Sequence, residues 1–137
     1  MLLIHFFAMF ALMYSMTHSF NDVFINLNQA YMAAIMVAPM TFTMLLFMPS
    51  MYPDKKRNYI FYASSGFGLI LFFAFIQTQA LIDDKQFLRS MIPHHSGAVL
   101  MCNKASISDP EIVKLCGQII ESQKREIDQM KKILNRL

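Results

Sequence analysis

The chain has 137 residues, of which 55% are hydrophobic and only 15% are charged, so it can form one small domain or a membrane anchor with a short module. The net charge is only +3 and the C-terminal region mixes both signs, which gives no indication of nucleic-acid binding. From Met1 to Pro53 the only charged side chain is Asp22, whereas nine of the twelve Lys and Arg follow residue 84. We therefore expect an apolar N-terminal part and a water-soluble C-terminal part.

Three uncharged runs are long enough to cross a bilayer as helices. They cover about residues 2–20, 29–52 and 59–82. The first run is preceded by no Lys or Arg and contains no small-residue cleavage site, so we interpret it as a retained helix and not as a signal peptide. These runs predict a membrane domain over 1–82, followed by a second domain over 83–137.

The two connections between these runs differ in charge. Residues 18–28 are polar and rich in Asn without Lys or Arg, whereas Lys55, Lys56 and Arg57 make the second connection basic. The positive-inside rule predicts that the basic turn faces the cytoplasm. Three crossings then place the N-terminus in the cytoplasm and the domain after residue 82 on the extracytoplasmic side.

The region after residue 82 has the pattern of two helices. They cover about 83–105 and 109–136. The first could continue directly from the third membrane run. Asp109 followed by Pro110 predicts the start of the second helix, and Ser108 with Glu111 fits a capping box.

The connection between the two helices predicts their register. In an antiparallel hairpin, residues equidistant from the turn lie opposite each other. With the turn near residue 107, Glu126 lies near Arg89, and Cys102 and Cys116 are offset by about three residues. Because disulfide geometry is strict, this offset favours two buried thiols. The cysteine spacing fits neither C-x-x-C nor a zinc finger, so it does not indicate zinc.

The hairpin is expected to need a partner. Its second helix carries an apolar stripe, which two helices cannot bury by themselves, so the hairpin should dimerise or dock on its own membrane helices. Ser64 and Gly68 also form a small-xxx-small pair on the third run, which suits close helix packing. We therefore predict a homo-oligomer.

Methionine is concentrated in the N-terminal part, where ten of the thirteen lie within the first 51 residues. Thioethers are soft, neutral ligands that favour copper(I), so a ladder of them could pass such an ion along. Methionine is also a flexible packing residue of apolar interfaces, and both interpretations stay open. The ladder positions recur at helical spacing and are His5, Met9, Met13, Met16, Met32, Met36, Met40, Met44 and Met48.

The stretch from Met91 to Met101 combines soft and imidazole donors. On a helix, Met91, Met101 and either His94 or His95 fall on one face. Pro93 removes a backbone donor there, which frees the carbonyl one turn earlier and bends or breaks the helix. Two imidazoles with two thioethers suit copper, whereas no carboxylate cluster is present for iron or manganese. The alternative is a pair of surface or capping histidines.

Two residues of the second helix are candidates for supporting roles. Gln123 could hydrogen-bond one of the two histidines and fix its tautomer. Glu126 is expected to pair with Arg89 and not to bind metal. The sequence contains no nucleophile–base triad, phosphate loop or dinucleotide fingerprint, so nothing in it indicates an enzyme.

Two spaced patterns in the C-terminal part resemble domain-of-unknown-function family 305 over about the last 55 residues. They are Asp84-x-x-Phe87-x-x-x-Met91-Ile92-Pro93-His94-His95-x-Gly97-Ala98-x-x-Met101 and Ile120-x-x-Gln123-x-x-Glu126-Ile127-x-x-Met130. The resemblance implies a ferritin-like helical fold, of which this hairpin is half a four-helix bundle, and the copper binding of some relatives. It implies as metal ligands Met91, His94, His95, Met101 and Met130. The N-terminal part is similar to a membrane-anchored bacterial branch, which implies the bacterial inner membrane.

These observations together predict an all-α protein with three transmembrane helices followed by an extracytoplasmic two-helix hairpin. Membrane lipid and a metal ion are its expected partners, and binding of copper(I) in resistance or trafficking is its expected function. The alternatives are a structural or assembly membrane protein that binds no metal, and a small oligomeric metal channel.

Overall fold

A computed structural model describes all 137 residues and contains helices without any β-strand, which confirms the predicted all-α class. The chain divides into two compact units, one of Met1–Met13 with Asn28–Leu81 and one of Tyr14–Leu27 with Ile82–Leu137. The α-helices are α1 Leu2–Leu12, α2 Leu27–Phe47, α3 Lys55–Thr78, α4 Asp84–Lys104 and α5 Pro110–Arg136. The second unit thus includes Tyr14–Leu27, which the sequence predicted as the end of the first membrane run and the connection that follows it.

Helix α1 is too short to be the first of three membrane spans. It ends at Leu12 and tightens into a 3-10 helix over Met13–Met16. At 1.5 and 2.0 Å per residue these two pieces reach about 25 Å, less than the ~30 Å of a hydrocarbon core. The Thr17 hydroxyl then donates to the Tyr14 carbonyl at 2.8 Å. The prediction of a span over 2–20 is wrong, and two helices, α2 and α3, are long and apolar enough to cross a membrane.

In the first unit α2 and α3 run antiparallel. The Tyr31 hydroxyl, near the start of α2, donates to the Ala80 carbonyl just after α3 at 2.8 Å. At the other end, the rings of Phe42 and Tyr62 lie 5.2 Å apart. The apolar window of α3 contains no buried residue, so α3 is not the core helix of a soluble domain. Large apolar side chains cover its outer surface, among them Tyr59, Ile60, Phe67, Ile70 and Phe73.

The second unit is a hairpin of α4 and α5 covered by the segment Tyr14–Leu27, which we call the strap. Asp22 of the strap is only 7% exposed. One of its carboxylate oxygens accepts from the Ser96 hydroxyl of α4 at 2.7 Å, and the other accepts from the Lys131 ammonium of α5 at 2.5 Å. The same Ser96 oxygen accepts from the His18 backbone N–H at 2.9 Å. One buried carboxylate therefore ties the strap to both helices.

The strap also explains why α4 continues through Pro93. Proline has no N–H to donate, so the Arg89 carbonyl loses its helical partner. The side-chain amide of Asn26, which is 3% exposed, donates to that carbonyl at 3.3 Å. One turn later a Cβ at Gly97 would lie 3.3 Å from the Met16 carbonyl oxygen, so glycine suits the close approach of the strap. The freed carbonyl predicted from the sequence is thus satisfied, and the helix is not broken.

The ends of α4 and α5 are set by local capping. Gln79 and Leu81 adopt left-handed backbone conformations with φ of 51° and 61°, so α4 does not continue directly from α3. The Asp109 carboxylate accepts from the N–H groups of Glu111 and Ile112, and Pro110 is the first helical residue, as predicted. Asp109 is the cap, and not the Ser108 of the predicted capping box.

The pairing of Asn26 with the carbonyl freed by Pro93 can be tested by a double-mutant cycle. Asn26→Ala leaves a buried carbonyl without a donor, so we expect it to lower the local stability of α4 by about 1–3 kcal/mol. In a Pro93→Ala background the new N–H can bond Arg89, so the loss should shrink. Amide hydrogen exchange of α4 gives the measurement, with Asn21→Ala, an exposed amide of the same strap, as the control. Equal losses in the two backgrounds would contradict the assignment.

Candidate metal centre

Two contacts between α4 and α5 fix the register of the hairpin. Cys102 and Cys116 form a disulfide with their Cα atoms 5.3 Å apart. Two to three turns further from the loop, His95 Nδ1 lies 3.0 Å from Glu126 Oε2. The cysteine pair differs from the predicted register by about one helical turn and the His95–Glu126 pair by nearly two, so the predictions of free thiols and of a Glu126–Arg89 pair are wrong.

The error has a physical origin in the loop. Counting outward from a turn assumes that the turn is tight and shared equally by the two helices. The connection from Ala105 to Asp109 is instead extended at both ends, with ψ of 140° and 123°. Its path therefore shifts α5 relative to α4, which brings the two cysteines together.

His95 is largely enclosed, with 13% of its side chain exposed. Its Nδ1 atom is buried and has no hydrogen bond, although Glu126 Oε2 lies at hydrogen-bonding distance. This close contact is not a hydrogen bond, because a ring N–H at Nδ1 would not point at that oxygen. His95 Nδ1 and a carboxylate oxygen of Glu126 therefore lie close together without a hydrogen bond between them.

The same register brings two methionines together beside this pair. Met91 lies one turn before His95 on α4, and Met130 lies one turn after Glu126 on α5. Because the helices are antiparallel, the two methionines are opposite each other in the adjacent layer. Both are half-buried. We call the four residues Met91, His95, Glu126 and Met130 the His95 cluster.

The other two predicted ligands lie on the exposed side of α4. Met101 is 54% exposed and His94 is exposed, with its ring centroid 6.1 Å from that of His95. Helical geometry places His94 and Met101 within about 20° of each other around α4 but about 10 Å apart along it. By the register of the hairpin, three of the five predicted ligands lie where α4 meets α5, and the other two lie on the exposed side of α4.

The two predicted supporting residues, Gln123 and Glu126, differ from the sequence prediction in their contacts with the histidines. Gln123 is half-buried on α5 but makes no hydrogen bond to His94 or His95, and Glu126 is the side chain that faces His95. No group of three or more His, Cys, Asp or Glu side chains lies close enough together to hold a metal ion. A metal at the His95 cluster would therefore depend on thioether sulfur.

The residues of the predicted methionine ladder are half-buried or exposed, and none of them is fully buried. Met32, Met36 and Met48 are each about two-fifths exposed, while Met40 and Met44 are half-buried. Of the N-terminal positions, His5, Met9 and Met13 are half-buried and Met16 is exposed. A cleft of about 180 Å³ in the first unit, bordered by Ala38, Ser64 and Gly68, has no methionine in its lining. The ladder as an ion path stays a prediction.

Sequence reasoning missed the polar network of the strap. Its signal was present, because Asp22 is a lone charge in a long uncharged stretch and a buried charge needs a partner. In the same network the Tyr14 hydroxyl donates to the Phe24 carbonyl at 3.0 Å and accepts from the Asn26 N–H at 3.3 Å. Burial raises the pKa of Tyr14 above its ordinary value of 10.0, against the opposing effect of the Asn26 hydrogen bond, so this phenol stays neutral near pH 7.

The disulfide is expected to stabilise the hairpin. Cys102 and Cys116 are separated by 14 residues, and closing a loop of that length contributes about 3 kcal/mol. Reduction, or the double change Cys102→Ser with Cys116→Ser, should lower the free energy of unfolding by that order, as measured by urea unfolding. The double-serine protein is the control and should not respond to reductant. Two thiols that titrate in the unreduced parent would contradict the disulfide.

The hairpin lies within a region that is similar to known proteins. Residues 76–134, which include α4 and most of α5, match the family described as domain of unknown function (DUF305). Uncharacterized protein L153 of Acanthamoeba polyphaga mimivirus is 38% identical over 120 residues, covering 86% of this chain and 77% of that protein. No solved structure matches the chain. The match to the family and the extended similarity to the viral protein establish that this chain belongs to the DUF305 family.

Proposed function

We propose that this chain is a membrane-anchored protein that binds copper(I) at the His95 cluster, in copper resistance or trafficking. The observation that carries the proposal is the buried Nδ1 of His95, which has no hydrogen bond and has two methionines in the adjacent layer of the hairpin. Copper(I) prefers soft donors, and two thioethers with one imidazole provide them. The Glu126 carboxylate beside them would offset the charge of the cation.

The donors in this cluster favour copper(I) over zinc. Zinc prefers thiolate, imidazole and carboxylate ligands, usually four of them. The cluster has one imidazole and one carboxylate, and Cys102 and Cys116 cannot serve as thiolates while they form a disulfide. The methionines are then the donors that decide the selectivity.

The membrane part of the proposal rests on α2, α3 and the basic turn between them. Lys55, Lys56 and Arg57 place that turn in the cytoplasm by the positive-inside rule. A single crossing by α3 then puts α4 and α5 on the extracytoplasmic side, whatever α1 does. A disulfide between Cys102 and Cys116 fits such a location, because disulfides persist in oxidising compartments.

We do not propose two parts of the predicted location, which are the cytoplasmic N-terminus and the bacterial inner membrane. The cytoplasmic N-terminus needed a third crossing, and α1 is too short to supply it. The bacterial inner membrane came from resemblance, whereas the similar protein found here is viral. We therefore propose that the hairpin lies on the extracytoplasmic side of a membrane, without naming the organism. The predicted ferritin-like assembly and the predicted homo-oligomer stay predictions, as do the alternatives of a metal-free structural protein and a metal channel.

Copper(I) binding can be tested with a matched set of methionine changes. Met91→Leu with Met130→Leu keeps the side-chain bulk but removes both sulfurs of the cluster, so copper(I) affinity should fall about tenfold or more. Met101→Leu on the exposed side of α4 should leave it unchanged. Competition of the detergent-solubilised full chain with a copper(I) chelator gives the affinities, and circular dichroism checks the fold. Unchanged affinity in the double variant, or an equal loss in Met101→Leu, would contradict the site.

The proposed sidedness has a separate test. A reporter that is active only in the cytoplasm should be silent when fused after Leu137, because α3 carries the chain out of the cytoplasm. The same reporter fused after Asn58, which keeps the basic residues of the turn, is the positive control. Strong activity from the fusion after Leu137 would overturn the orientation.

A further inference from the structure

The charge of the first unit is confined to one place. Within Met1–Met13 and Asn28–Leu81 the only Asp, Glu, Lys or Arg residues are Asp54, Lys55, Lys56 and Arg57, at the start of α3. These four residues lie at the end of α3 where the rings of Phe42 and Tyr62 meet. A purely solvating role would not require the charges to gather at one end of an apolar helix pair.

The positive charge at this end is only partly balanced. The Asp54 carboxylate accepts from the N–H groups of Lys56 and Arg57, both at 3.1 Å, and pairs with the Arg57 side chain at 3.0 Å. Asp54 therefore already binds two N–H groups of the helix start and one of the three cations. The ammonium groups of Lys55 and Lys56 have no carboxylate partner.

A cavity of about 180 Å³ lies beside these cations. It is lined by Lys55, Asn58, Tyr59 and Tyr62. The Asn58 amide donates to the Tyr52 carbonyl at 2.9 Å, which fixes the turn against the helix. The hydroxyl groups of Tyr59 and Tyr62 have no hydrogen-bond partner in the structure, so one ammonium and two phenols can donate to the same guest.

We propose that this cavity binds the phosphate of an anionic phospholipid head group at the cytoplasmic surface of the membrane. The inference rests on the membrane placement of α2 and α3 in the proposed function and is independent of copper. Tyrosines with an apolar ring and a polar tip suit the membrane interface, and basic residues next to a membrane helix attract anionic lipids. Because Asp54 is already paired, no free carboxylate remains to favour the cation of a zwitterionic head group.

The acyl chains of such a lipid also have a surface to follow. Ile70 and Phe73 of α3 are exposed and lie on the same face of the helix as the cavity, about two to three turns beyond Tyr62 toward the membrane interior. Tyr62 packs its ring against Phe42, so its hydroxyl is held at the edge of this apolar surface. The site therefore joins a phosphate-binding end to an apolar track, which distinguishes a lipid from a free phosphate ion.

The test compares two neighbouring lysines. The purified full chain is reconstituted in vesicles of phosphatidylcholine with phosphatidylglycerol, extracted in mild detergent, and analysed by native mass spectrometry for retained lipid. We expect phosphatidylglycerol to be retained about fivefold or more over phosphatidylcholine. Lys55→Gln with Tyr62→Phe should abolish this preference, whereas Lys56→Gln, which removes a cation outside the cavity lining, should largely keep it.

Each other result overturns the inference in a distinguishable way. Equal losses in the Lys55→Gln, Tyr62→Phe double variant and in Lys56→Gln would mean a diffuse charge effect and no site. Displacement of the lipid by inorganic phosphate would mean a phosphate site that does not recognise lipid. A parent protein that retains both lipids equally would exclude the site but leave the membrane anchor intact. A parent that does not float with phosphatidylcholine vesicles would instead refute the membrane placement itself.

Discussion

The buried carboxylate of Asp22 is the interaction on which the second unit depends. An unpaired charge at such a position would cost several kcal/mol, and Asp22 avoids this by binding Ser96 on α4 and Lys131 on α5. Asn26, a few residues later, supplies the hydrogen bond that Pro93 takes from α4. The strap therefore occupies the side of α4 that contains the proline. The edge that carries His95 is left to face α5.

This division of α4 gives the candidate site its chemistry. The disulfide holds the register near the loop, so Cys102 and Cys116 act as a structural link and leave the donor role to histidine and methionine. Further along the hairpin, His95 and Glu126 converge without forming a hydrogen bond, and Met91 and Met130 lie in the adjacent layer. A helical hairpin can thus provide methionine and histidine donors for a metal without a cluster of three or more His, Cys, Asp or Glu side chains.

The ends of the helices could be predicted from the sequence, because they depend on residues that are close together in the chain. Helical periodicity and capping place α4 and α5 within about a residue of their observed ends, because Asp109 and Pro110 act on their immediate neighbours. The register of the hairpin and the contacts of the strap could not be predicted in this way. The register depends on the path of an extended loop, and the strap depends on hydrogen bonds that join residues far apart in the chain, such as Asp22 and Lys131. An uncharged run also shows only that a segment is apolar, so it could not reveal that α1 ends at Leu12.

The most direct measurement of the central claim is a copper(I) titration of the full chain with carbon-13 in the methionine methyl groups, followed by nuclear magnetic resonance. Each sulfur that binds the metal changes the shift of its own methyl group, so the spectrum identifies the ligands one by one. The account predicts that the methyl signals of Met91 and Met130 move with one equivalent of copper(I), while that of Met101 stays in place. Shifts confined to Met101 or to the methionines of α2, or no shift at all, would contradict it.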